Sequence, residues 1–288
     1  MHTKKLPIGI YEKALPVDID WHERLTLAAE AGFDFVEISC DESAERQARM
    51  DWSAAQKADL RHAIAESGTP VLTMCLSAHR RLALGSADDA IRQQGMDLFR
   101  EAIHFCADVG IRTIQVAGYW DYYGEVDKDT ERRYIDGVAQ GTEWACRAGV
   151  MLGVETMEGE NVVDSITRAM YIVNLIDSPW FQVYPDLGNI AAHGYDLNTE
   201  LERGRGHIVG VHAKDSRPGE PRRVPFGEGV VPFAQAFARL ASINYTGPVM
   251  IEMWNDNSPD SMQIIQQSRQ WVLERMAEGG LLEKERAV

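Results

Sequence analysis

Glu155, Asp186, His212 and Glu252 each close a short apolar run in the second half of the chain, at residues 150–155, 183–186, 208–212 and 249–252. Apolar runs of this length read as buried strands. As consecutive strands of a (β/α)8 barrel, they would bring all four side chains to one mouth, the place where barrel enzymes keep their chemistry. Three carboxylates and one imidazole around a common centre make a divalent-metal site of the hard-to-borderline kind. Mn²⁺, Mg²⁺, Co²⁺ and Zn²⁺ all suit such donors. No Lys or Arg stands beside Glu155 or Glu252 in the chain, so a metal ion is the expected counter-charge for these half-buried acids.

Two basic groups are expected on the same rim. His79, Arg80 and Arg81 follow the third apolar run, and Lys214, Arg217, Arg222 and Arg223 follow the seventh. Guanidinium forks hold phosphate well, so His79, Arg80, Lys214 and Arg222 are candidate contacts for an anionic substrate end. The alternative for both groups is a solvated loop with structural ion pairs. Residues 224–229, with Gly227 and Gly229, allow a tight turn near a ligand. The aromatic stretch Tyr119, Trp120, Tyr122 and Tyr123 follows the fourth run and suits either a sugar-binding wall or a cover over the rim.

The elements that must position these residues repeat along the chain. Gly32, Gly68, Gly110 and Gly149 stand 36, 42 and 39 residues apart, and each ends a helical stretch and leads into an apolar run. Glycine suits the left-handed position that ends a helix, and the spacing is that of one βα unit. Phe99, Ala102, Ile103, Cys106 and Val109 form a stripe of helical period, as do Leu60, Ala63, Ile64 and Ser67. Strands are expected at 8–11, 35–39, 71–76, 113–117, 151–155, 182–185, 209–212 and 249–252, with a last helix over 261–276. Eight strands alternating with helices predict an α/β fold, a (β/α)8 TIM barrel, as one domain over residues 1–288. An open doubly wound sheet is the alternative, but no GxGxxG turn follows the first strand.

The 288 residues carry a net charge of −15, which argues against a nucleic-acid partner. No apolar stretch approaches the roughly 18 residues needed to cross a membrane, and the N-terminus has no apolar segment of export-signal length. A cytoplasmic protein is expected. Cys40, Cys75, Cys106 and Cys146 form no CxxC pair, so they read as core residues of a reduced protein.

Several stretches run nearly end to end along a known pattern. They are residues 7–16 (PIGIYEKALP), 74–81 (MCLSAHRR), 180–186 (WFQVYPD), 212–215 (HAKD), 224–230 (VPFGEGV) and 251–254 (IEMW). With the strand-end Glu, Asp, His and Glu they resemble the xylose-isomerase-like barrel superfamily. Within it they are similar to the bacterial L-ribulose-5-phosphate/L-xylulose-5-phosphate 3-epimerases of ascorbate and pentose catabolism. The resemblance implies that Glu155, Asp186, His212 and Glu252 ligate a divalent metal and that Glu155 and Glu252 are also the acid/base pair. It implies a small sugar-phosphate substrate and a homodimer. Endonuclease IV, in the same superfamily, needs a histidine three residues after the sixth-strand aspartate, where this chain has Asn189. Unphosphorylated-ketose epimerases often carry a histidine there too, so Asn189 points to a different substrate contact. The expected reaction is removal and return of the C3 proton of a 2-ketose through a cis-enediolate. The rivals are epimerisation of an unphosphorylated ketose, aldose–ketose isomerisation or lysis on the same site, and a sugar-phosphate-binding barrel without catalysis.

Overall fold

A computed structural model describes residues 6–282. The readings of the extreme N-terminus and of the tail beyond 282 fall outside the described residues. Eight parallel strands form one sheet: β1 (Ile8–Tyr11), β2 (Phe35–Cys40), β3 (Val71–Leu76), β4 (Thr113–Ala117), β5 (Met151–Glu155), β6 (Phe181–Tyr184), β7 (Val211–Ala213) and β8 (Val249–Ile251). The α-helices between and after them are α1 (Trp21–Glu30), α2 (Ala44–Gln47), α3 (Ala54–Ser67), α4 (Asp89–Val109), α5 (Thr130–Ala148), α6 (Ile166–Ile176), α7 (Leu187–Ala192), α8 (Leu197–Arg203), α9 (Phe233–Ser242) and α10 (Ser261–Glu278). β1 pairs with both β2 and β8. The ladder order β6-β5-β4-β3-β2-β1-β8-β7 leaves one seam, between β6 and β7. Single bridges, Val183 to Ile208 and Asp186 to His212, span it. The result is a nearly closed barrel rather than an open doubly wound sheet. No described helix is long and apolar enough to cross a membrane.

Local sequence explains the units. Ser53 and Gln56 form a reciprocal capping box at the start of α3. α3, α4 and α5 end at Gly68, Gly110 and Gly149, whose φ values of 69°, 93° and 71° turn the chain directly into the next strand. The α4 stripe Phe99, Ala102, Ile103, Cys106 and Val109 is buried as its period requires.

Strand alternation then sorts side chains into two layers. Val36, Ile38, Ile114, Val116, Leu152, Val154, Val211 and Ala213 join the apolar layer shared with the helices. The residues between them, Glu37, Gln115, Gly153 and His212, therefore face the lumen. Tyr11, Phe35, Cys75 and Met250 fill that lumen as a small separate apolar cluster.

Strand bounds differ from expectation mainly at the seam. β6 begins at Phe181, and β7 begins at Val211 rather than 209. Residues 208–210 run along the seam, where isolated bridges replace a ladder. A Cβ at Gly210 would also overlap the Tyr184 ring. His212 thus lies inside β7, while Asp186 and Glu252 sit just past β6 and β8.

Candidate active site

The three predicted acids and the imidazole do converge. Glu155, Asp186, His212 and Glu252 are buried, and each offers one ligand atom within 4.8 Å of the others. Glu155 is the last residue of β5, so its side chain points across the mouth. Asp186 caps the N-terminus of α7, its Oδ1 accepting from Asn189 N at 2.9 Å. That leaves Oδ2 for another partner. Asp186 Oδ2 and Glu252 Oε2 are both buried.

His212 is held from both ring nitrogens. Nδ1 lies 2.8 Å from Glu155 Oε1 and 3.7 Å from Glu252 Oε2, and Nε2 lies 3.0 Å from Glu37 Oε1. The Tyr184 ring packs edge-on against it, with centroids 4.8 Å apart. Burial alone would lower the imidazole pKa, but Glu37 and Glu155 outweigh it and raise it well above the ordinary value. The acids at both ring nitrogens thus favour the protonated ring. With Nε2–H donated to Glu37, loss of the Nδ1 proton leaves a lone pair aimed at the cluster, the arrangement a metal-ligating histidine needs.

A basic side chain does meet these acids, from elsewhere in the fold. Lys214, two residues after His212, places Nζ 2.8 Å from Asp186 Oδ2 and 3.1 Å from Glu252 Oε2. Sequence neighbours of the glutamates showed no cation because this one arrives from β7. Burial works to raise Glu252, yet Lys214 and His212 overcome it and bring its pKa to about 2. Glu155 and Asp186 move the other way, raised chiefly by burial despite nearby cations. The donor set, three carboxylates and one imidazole with ligand atoms within 4.8 Å of one another, fits a divalent cation held by Glu155, Asp186, His212 and Glu252.

The other candidate substrate residues separate. His79 is buried beneath the rim, with Nε2 3.2 Å from Gly95 O and its ring edge-on to Phe99. It cannot reach the mouth, because the turn after β3 tucks it against α4. Lys214 faces the acids rather than the rim. Arg217 lies outside, pairing with Glu220 and Glu228. Arg80 and Arg222 do come together at the mouth, both beside Glu158. Of the aromatic stretch, Tyr119 and Trp120 are buried and Tyr122 and Tyr123 are exposed. Asn189 is buried and donates Nδ2 to Thr156 O at 2.9 Å.

The sequence profile of the xylose isomerase-like TIM barrel family matches residues 25–275. The chain belongs to that family. It is 50% identical over 283 residues to the L-ribulose-5-phosphate 3-epimerase UlaE of Escherichia coli O157:H7 (strain EC4115 / EHEC), covering 98% of this chain and 99% of that protein. Among solved structures, D-psicose 3-epimerase from Clostridium cellulolyticum H10 superposes with a TM-score of 0.80 at 17% identity, over 94% of this chain and 99% of that one. A 3-keto-D-glucoside 4-epimerase from E. coli superposes with a TM-score of 0.78 at 21% identity, over 94% and 100% of the two chains. These structural likenesses establish the shared barrel.

Three site residues of this xylose isomerase-like barrel escaped sequence reasoning. Glu37 on β2 accepts from Thr73 Oγ1 at 2.7 Å and Tyr184 OH at 3.2 Å besides meeting His212. Gln115 on β4 donates Nε2 to Glu155 Oε2. Both carried a visible signal, a lone polar residue inside an apolar strand. Glu158 carried none, since it lies in an irregular loop.

Proposed function

We propose that this chain is a metal-dependent 3-epimerase interconverting L-xylulose 5-phosphate and L-ribulose 5-phosphate. The reading is carried by near full-length identity to the UlaE epimerase together with an intact, buried Glu155, Asp186, His212 and Glu252 cluster. Mn²⁺, Mg²⁺, Co²⁺ and Zn²⁺ all remain suited to the donors. A cation bound there supplies positive charge that polarises the ketose carbonyl and offsets the negative charge developing as C3 loses its proton.

The protein's own groups supply the proton transfers. One of the carboxylates Glu155 and Glu252 takes the C3 proton from one face, and the other returns a proton on the opposite face. Removal by one and return by the other inverts C3, and the reverse reaction exchanges their roles. Gln115 and His212 fix Glu155, while Lys214 fixes Glu252. Arg80 and Arg222 are the phosphate contacts this reading favours. His79 and Lys214 are not, because one is buried under the rim and the other is engaged by Asp186 and Glu252.

The reading further takes the chain as one catalytic domain, a cytoplasmic homodimer, by resemblance to its family. Sedimentation checks the dimer. The reaction is tested by proton NMR in D2O with metal-loaded protein and L-xylulose 5-phosphate. Deuterium at C3 with appearance of L-ribulose 5-phosphate is expected. Exchange on an unphosphorylated ketose alone would move the assignment to that substrate, and an aldose product would make the enzyme an isomerase. Glu155→Gln and Glu252→Gln should each lower turnover by about 10²-fold or more. Substantial activity in either would refute the two-carboxylate scheme.

A further inference from the structure

We propose that Glu158 is a positioning residue that holds Arg80 and Arg222 side by side as a two-guanidinium seat for the substrate phosphate. The proposal rests on the phosphorylated-pentulose reading above.

Arg80 comes from the turn after β3 and Arg222 from the loop after β7. Nothing in their own segments brings two like charges together. Glu158, three residues beyond Glu155, does so through one atom. Its Oε1 accepts from Arg222 Nη2, accepts from Tyr119 OH at 3.1 Å, and lies 3.9 Å from Arg80 Nη2. Arg80 Nη2 in turn donates to Tyr119 OH at 2.8 Å, and its guanidinium lies 5.1 Å from the centre of the Tyr119 ring. Arg80 is also 3.5 Å from Glu42, whereas Arg222 pairs with Glu158 alone among the described residues. The group stands close to the catalytic cluster: the charge of Glu158 helps raise the pKa of Lys214, after those of Asp186 and Glu252.

Arg80, Arg81 and Arg222 against Glu158 and Glu42 leave one net positive charge and unpaired guanidinium N–H donors, which suits an anion. Two roles for Glu158 are conceivable, an anchor that stays or a stand-in that phosphate displaces. The structure favours the anchor. Tyr119 is fully buried and grips Glu158 from below, so the carboxylate has a fixed support. The Glu158 side chain is 12% exposed against 38% for Arg222, so Arg222 is the more open of the two to an incoming phosphate.

The test uses the full-length, metal-loaded protein with L-xylulose 5-phosphate, and calorimetry with inorganic phosphate. Glu158→Gln should raise KM about tenfold, with kcat within about twofold, and should weaken phosphate binding in parallel. Arg222→Met should do the same, and the double variant should be no worse than Arg222→Met alone. Arg222→Lys, which keeps the charge without the fork, should also raise KM. A lower KM or tighter phosphate binding in Glu158→Gln would overturn the anchor in favour of a displaced stand-in. Fully additive effects, or a loss confined to kcat, would overturn it as well. If the wild type fails to turn over the pentulose phosphate, the functional reading falls. Calorimetry then decides the seat independently, since unchanged phosphate binding in Glu158→Gln would refute it.

Discussion

His212 carries a carboxylate on each ring nitrogen, and the two come from opposite halves of the chain. Glu155 and Glu37 are 57 and 175 residues away in sequence. Glu37 fixes which nitrogen faces the cluster, so Glu37→Gln should weaken metal binding about 10- to 100-fold, as loss of an outer hydrogen-bond partner does. Titration of the apo protein with Mn²⁺ or Zn²⁺ checks this, and an unchanged affinity would show that packing alone orients the ring. The four residues of the acid–imidazole cluster were legible because each ends an apolar run. Lys214 was legible as a cation, while its ion pairs with Asp186 and Glu252 were not anticipated. A lysine two places after an inward histidine also faces inward, and strand alternation carried that information. Glu158 was not legible, since its role depends on loops whose paths no local pattern fixes.

The loop after β7 is organised by one buried side chain. Asp215 accepts from Ser216 N, Gly227 N and Gly229 N, each at 2.9 Å, and from Val231 N at 3.4 Å. A Cβ at Gly229 would overlap that carboxylate. The glycines anticipated for a turn near a ligand thus serve a turn around an aspartate. Asp215→Ala strands one buried and three part-buried N–H donors and should cost about 3 kcal/mol in urea unfolding. It should also raise KM for the pentulose phosphate, because the same loop carries Arg222. The turn after β3 makes a different prediction. Burial lowers the His79 pKa from 6.5 to about 4, against a small opposing effect of the Gly95 contact. Between those values the unfolded chain binds a proton that the folded chain does not. Stability from this residue is therefore whole above about pH 6.5 and falls as pH drops toward 4, by about 3 kcal/mol at most. Chemical unfolding of the wild type and His79→Gln at pH 7 and 4.5 tests it: the acid loss should shrink in the variant, and an equal loss would clear His79.

At the scale of the molecule, the eightfold pattern was legible because glycine stops, helical stripes and apolar runs recur with one period. Closure into a barrel was expected on the same ground. Where the seam falls was not legible, since it depends on twist summed around the ring, and the least regular pairing falls between β6 and β7. Asp186 and His212 form one of the two bridges there. Two residues of the candidate metal cluster are therefore placed on opposite lips of the weakest join in the barrel. An ion held by both lips acts as a clasp on a hoop, and amide exchange should reveal it. Three seam amides report on the join: His212 N to Pro185 O, Val209 N to Val183 O, and Val183 N to His207 O. Chelation should quicken deuterium uptake at these three far more than at β2 to β4, where continuous ladders hold the strands. Uniform quickening around the ring would mean that the ion stabilises the barrel as a whole. Local quickening would mean that filling the catalytic centre is also the last step in fastening the fold, so that a chain still opening at its seam would have no means of acting on its substrate.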